Sequence, residues 1–300
     1  MTSKLSSHFG DRLSAALART KTPLCVGIDP HKALFSPLFC DEKGPSLSGL
    51  RSFSLAIIDA ATDVVPAIKP QVAMFEQFGP EGMAILAEVA QTARQAGLLV
   101  IMDAKRGDIG STSQAYADAY FGEDAPFASD ALTVNPWMGL DTLEPFMTTA
   151  QKAGAGLFIL VRTSNKGASD LQELRHNESY IYQELADKLA PHIEAAKGVS
   201  GLSSFGIVAG ATVPDQARDL RNRLPSAPFL IPGFGAQGAG PEDATTPLSA
   251  SQDGFTNGLV NSSRGIIFCD DAQKATTLSA YRAAVRDAIK TQSALLNTAL

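Results

Sequence analysis

The sequence predicts a single-domain (β/α)8 barrel spanning residues 1–300. Three observations lead there. Eight short β-branched or apolar runs alternate with longer stretches of helical period, the pattern that builds a parallel sheet from βα units. Most of the runs are apolar enough to be buried on both faces, as barrel strands are. The first run is followed by GIDPHK, where an open dinucleotide-binding sheet would place a glycine-rich loop.

The chain opens with an amphipathic stretch that predicts a helix at about 5–19. The predicted strands are then LCVGID (24–29), PAIKP with its continuation QVAMF (66–75), LLVIMDAK (98–105), ALTVN (131–135), GLFILVRT (156–163), FGIVAGAT (205–212), FLIPGFG (229–235) and GLVNSSRGIIF (258–268). Helical periods fall at 80–97, 139–154, 178–196, 213–225 and 277–296, and Ser111, Thr112 and Ser113 read as the start of another helix after the third strand. Between strands seven and eight, at about 235–256, lies a stretch rich in Gly, Pro, Ser and Thr, read as a mobile active-site loop.

Composition narrows the function. A chain of 300 residues with 45% hydrophobic and 19% charged residues can bury one large core. Its net charge of −6, without a clustered basic face, disfavours nucleic acid as a partner. No run approaches the roughly 18 apolar residues that span a bilayer, so no membrane association is expected and a cytoplasmic location is. Cys25, Cys40 and Cys269 have neither disulfide-framework nor zinc-site spacing, and His8, His31, His176 and His192 form no metal-like cluster. No metal or cofactor is expected.

In such barrels the active site gathers at the C-terminal strand ends, so polar residues closing apolar strands are the candidates. Asp103 and Lys105 close strand three at i and i+2, on one face of the strand and within reach of each other. Asp29 closes strand one and Lys69 strand two, giving Asp, Lys, Asp, Lys at similar depth. Alternating charges hold each other ionised and fix an ammonium where negative charge develops in a transition state. An isolated Asp–Lys pair plugging a barrel mouth would be equally compatible with structure alone. Gly107 is read as freeing the backbone to turn, leaving Asp108 beyond the strand and pointing elsewhere, toward a subunit interface. Ser164 and Asn165 follow strand five, Gln237 and the amides of PGFGAQG follow strand seven, and Arg264 is placed on strand eight. Loops seven and eight form the recurrent phosphate site of these barrels, and a guanidinium forks onto phosphate oxygens.

Seven ordered motifs, VGIDP (26–30), AIKPQVAMFEQFGPEG (67–82), DAKRGDIGST (103–112), TVNPWMG (133–139), LVRTSNKGA (160–168), IPGFGAQG (231–238) and VNSSRGI (260–266), resemble the orotidine 5′-phosphate decarboxylase family, in its longer bacterial branch (type 2). The resemblance implies cofactor-free decarboxylation of orotidine 5′-monophosphate to UMP and CO2, the last step of de novo pyrimidine synthesis. It implies Lys105 as proton donor to C6, with Lys69, Asp103 and Asp108 completing a charged network, and a homodimer with shared sites in which Asp108 serves the partner. Asp29 and, across the dimer, Thr112 would bind ribose hydroxyls, and Ser164 the pyrimidine edge. Gln237, Arg264 and the Gly235 region would hold the phosphate, and Ile109 and Pro232 would line the base and carboxylate pocket. Departures from the shorter members are Arg106-Gly107 within the motif and the long 239–256 segment. A related Mg2+-dependent sugar-phosphate decarboxylase shares D-x-K-x-x-D but carries an acidic ligand where this chain has Lys69; Glu76 lies nearby in sequence.

Overall fold

A computed structural model describes residues 8–235, 238–251, 254–255 and 257–299. Eight parallel strands close into one barrel: β1 (Leu24–Ile28), β2 (Ala67–Pro70), β3 (Leu99–Arg106), β4 (Ala131–Val134), β5 (Gly156–Arg162), β6 (Phe205–Ala209), β7 (Phe229–Ile231) and β8 (Gly258–Ser262), with β8 paired back onto β1. Alternation along each strand sorts side chains into two cores. Val26, Ile28, Ile68, Val100, Met102, Leu132 and Val134 face outward under the helices. Cys25, Ala67, Leu99, Ile101, Ala131, Phe158, Val208, Leu230 and Leu259 fill the barrel interior.

Helix α1 (Phe9–Thr20) starts at His8, whose ring accepts from the Asp11 amide, and ends at Lys21 in the left-handed region. Its stripe of Phe9, Leu13, Ala16 and Leu17, at helical spacing, belongs to the interior core and plugs the barrel at the end opposite the polar strand termini. Phe9 meets Phe158 edge-to-face at 5.9 Å. The plug requires glycine at 156, where a Cβ would come within 2.2 Å of the Phe9 ring.

Three elements depart from the sequence reading. The run 66–75 is not one strand: β2 stops at Pro70 and Val72–Glu76 is a short helix, burying Val72 and Phe75 at i, i+3. The run 258–268 also divides after Ser262, and Arg264–Ile267 is a helical turn with Ile266 and Ile267 buried. In each run the switch falls at polar residues, Pro70-Gln71 and Ser262-Ser263-Arg264, and the short apolar stretch beyond it satisfies either period. Helix α2 (Leu47–Ala61), absent from the sequence reading, is capped by Ser46 and buries Leu50, Phe53, Ile57 and Ala61. The remaining long helices are α3 (Gly79–Gln95), α4 (Gly110–Phe121), α5 (Glu144–Ala153), α6 (Ile181–Ala195), α7 (Pro214–Arg223) and α8 (Leu278–Thr298). The stretch 235–256 carries a helix, Pro241–Thr245, and a two-stranded hairpin of Ala250–Ser251 with Gly254–Phe255.

Among the described residues no helix is long and apolar enough to cross a membrane.

Candidate active site

The polar strand ends converge as their period requires. In register, Lys69 stands beside Gly27, one interior layer above the Cys25–Ala67 pair. Lys69 is 3% exposed and its Nζ donates to Asp103 Oδ2 at 2.5 Å. Lys105 Nζ donates to the other oxygen, Oδ1, also at 2.5 Å, with its side chain 47% exposed toward the cavity. Asp103 is therefore a carboxylate clamped between two ammonium groups. Burial by itself would raise its pKa, but the charges of Lys69 and Lys105 and their hydrogen bonds outweigh it and hold the group well below the usual carboxylate range. Burial likewise opposes the charge on Lys69, and Asp103 and Asp29 overcome it, raising Lys69 above its ordinary value. Both groups are charged at neutral pH. Beneath them burial pushes the Cys25 thiol up to about 12, so the floor of the network is neutral.

Lys69, Asp103 and Lys105 line a cavity of about 900 Å³ that also includes Asp29, Gln71, Thr133, Asn135, Ser164 and Pro232. Asp29 Oδ1 is buried there without a hydrogen-bond partner, an acceptor open to a ligand hydroxyl.

The turn after Asp103 is not made as expected. Lys105 itself takes the left-handed conformation, φ 49°, while Gly107 answers a different need: a Cβ there would lie 2.9 Å from the Asn135 carbonyl. Asp108 and its neighbours lie outside this chain's cavity. Asp108 is half-buried, its Oδ1 accepting from the Ile109 amide at 2.8 Å, and among the described residues it makes no salt bridge. Ile109, expected in the base pocket, is 61% exposed just before α4, and Thr112 is exposed on its first turn.

On the phosphate side, Arg264 does not sit on β8; it begins the helical turn beyond it and is exposed. Gly233 and Gly235 have positive φ of 109° and 73°, and the Gly235 amide donates to Ala239 O at 3.0 Å. Gln237 lies outside the described residues.

Three polar residues escaped the sequence reading. Gln71 Nε2 donates to Asp103 Oδ2 at 3.0 Å, the Thr133 hydroxyl to Asp103 Oδ1 at 3.1 Å, and Asn261 brings a buried, unpartnered Oδ1 to the cavity. The signal was available: Gln71 is two residues past Lys69, and Thr133 and Asn261 are the polar interruptions of ALTV and GLVN. Trp137 is 71% exposed at the cavity mouth. Glu76 points away from metal duty, its carboxylate accepting from Arg106 at 2.7 Å. Among the described residues no group of three or more His, Cys, Asp or Glu is placed to hold a metal ion.

Fold and site together define a (β/α)8-barrel enzyme with a buried lysine–carboxylate cluster at the C-terminal strand ends. The model of the orotidine 5′-phosphate decarboxylase / HUMPS family matches residues 22–278, and the chain belongs to that family. It is 40% identical to the orotidine 5′-phosphate decarboxylase of Rhodopirellula baltica over 97% of this chain and 98% of that one. The Nocardioides enzyme of the same name is 46% identical over 77% of this chain and 82% of its own. Among solved structures, the Leishmania donovani OMP decarboxylase superposes with a TM-score of 0.75 at 32% identity, covering 97% of this chain and 98% of that one.

Proposed function

We propose that the protein decarboxylates orotidine 5′-monophosphate to UMP and CO2, the last step of de novo pyrimidine synthesis, in the cytoplasm and without a cofactor. The observation that carries the reading is the pair of ammonium groups on the one buried carboxylate of Asp103, opening into a cavity with Asp29. Breaking the C6–carboxylate bond leaves the electron pair on C6, and the ring offers no adjacent sink. The ammonium of Lys105, held by Asp103, stabilises that pair and then gives C6 its proton. Lys69 keeps Asp103 ionised, so that Lys105 is not neutralised as the carbanion forms. Membership of a family whose name joins two branches leaves room for a metal-assisted sugar-phosphate reaction, but Lys69 at the end of β2 and Glu76 engaged with Arg106 favour the nucleotide.

The substrate is held along its length. Asp29 accepts from a ribose hydroxyl, Ser164 reads the pyrimidine edge, and Pro232 packs on the base. The glycine turn at Gly235, with Gln237 and Arg264, holds the phosphate, whose binding energy is spent on positioning the distant carboxylate. Two protomers complete the sites: Asp108, Ile109 and Thr112 do not line their own cavity and serve the partner's, and the exposed Ile109, Trp137 and Met138 supply apolar area for the contact. Purified protein incubated with orotidine 5′-monophosphate should consume the orotate absorbance and release CO2 in equal amounts. An unchanged spectrum at high enzyme concentration would refute the reading.

A further inference from the structure

We propose that Thr133 is a positioning residue for this reaction, its hydroxyl clamping the backbone turn from which Lys105 presents its ammonium group. The inference rests on the decarboxylase reading of the site. Between β3 and β4 the pairing runs Met102 with Leu132 and resumes at Arg106 with Val134, so Asp103, Ala104 and Lys105 all oppose the single residue Thr133. Such a bulge frees amides from the ladder and re-aims a side chain. Here one oxygen collects them: Thr133 Oγ1 accepts from Ala104 N at 3.0 Å and from Lys105 N at 2.9 Å. Its own hydrogen goes to Asp103 Oδ1 at 3.1 Å, the oxygen that also receives Lys105 Nζ.

Lys105 needs such a clamp. Its φ of 49° is strained for a residue with a side chain and persists only where the surroundings enforce it. Thr133 is 1% exposed, and a methyl group in place of its hydroxyl would leave no room for a water at the same point. The hydroxyl thus fixes three things at once: the bulge, the orientation of Asp103, and through both the place of Lys105 Nζ. Valine has the same shape but no acceptor. In its place the two amides would lose their partner, the turn would relax, and the proton donor would move while the rest of the cavity stayed intact.

The test compares the wild type with Thr133→Val and Thr133→Ser, measuring kcat and KM for orotidine 5′-monophosphate and the affinity for UMP by calorimetry. Thr133→Val is expected to lose about 10- to 100-fold in kcat, the scale of a misplaced reacting group. KM and UMP affinity should stay within about threefold, since ground-state binding is untouched, and Thr133→Ser should keep kcat within about threefold. Wild-type kcat in Thr133→Val, equal losses in both variants, or a loss confined to KM would each overturn the proposal. Should Thr133→Val fail to fold by circular dichroism, Thr133→Cys decides, its sulfur being a weak acceptor: kcat should fall with KM unchanged, and wild-type kcat would overturn the proposal. A wild type inactive on orotidine 5′-monophosphate overturns the decarboxylase reading and this inference with it. An active wild type with an unaffected Thr133→Val overturns the inference alone.

Discussion

Replacing Asp103 by asparagine removes the negative charge that Lys69 and Lys105 share, and the buried Lys69 has most to lose. In Asp103→Asn the Lys69 ammonium keeps the attraction of Asp29 and one amide oxygen. Removing one partner of a buried ion pair costs about 3–5 kcal/mol, and the remaining acceptors put this case near the lower end, about 3 kcal/mol. At roughly 2–4 °C per kcal/mol for a chain of this size, the melting temperature should fall by about 6–12 °C. The pH dependence carries a second signature. In the wild type Asp103 is depressed, so its contribution is present above the unfolded value of about 3.9 and lost as pH falls below it; Lys69 is raised, so its contribution is present below about 10.4 and lost above. In the variant, burial is no longer overcome and Lys69 titrates below its unfolded value. The folded state then releases its proton first, and stability rises with pH toward about 10.4, by at most about 1.4 kcal/mol per unit. Thermal unfolding measures the first effect and urea unfolding from pH 6 to 10 the second. A melting temperature within about 2 °C of wild type, with the same pH profile, would refute the argument.

Arg264→Ala should weaken binding of the phosphorylated substrate by about 10-fold or more while barely affecting the unphosphorylated nucleoside, because a forked cationic contact to phosphate is lost; steady-state kinetics on both substrates checks this, and equal losses would remove Arg264 from the phosphate site. Lys105→Ala and Asp108→Ala proteins should each be inactive, yet regain activity when unfolded together and reassembled, since one site of a mixed dimer has both groups and the other neither. Mixed dimers that form but stay inactive would make Asp108 a within-chain residue. Phe9→Ala should cost about 3–5 kcal/mol in urea unfolding, because the ring is fully buried against Phe158, while kcat per folded molecule is unchanged. A loss of kcat without loss of stability would mean the α1 plug communicates with the opposite end of the barrel.

Much of this molecule is legible in its sequence. Strand burial on two faces, a period of two at each strand end, and the order of charged residues led from the sequence to the barrel and to Asp29, Lys69, Asp103 and Lys105 in one cavity. These features are local, fixed by alternation within one strand, so a single sequence determines them. At 70–72 and 262–264 the sequence carries polar breaks, Pro70-Gln71 and Ser262-Ser263-Arg264, but the short apolar stretches beyond them fit strand or helix alike, and only packing decided that Val72 and Ile266 belong to helical turns. The bulge at Asp103–Lys105 is likewise tertiary: which residue turns left-handed depends on where β4 offers an acceptor, and that acceptor is the hydroxyl of Thr133, 28 residues from Lys105. That Asp108 lies beyond the strand was legible in the motif, but that Ile109 stays out of its own cavity was not: it is the residue before α4, and it is exposed where the chain turns into that helix at Gly110.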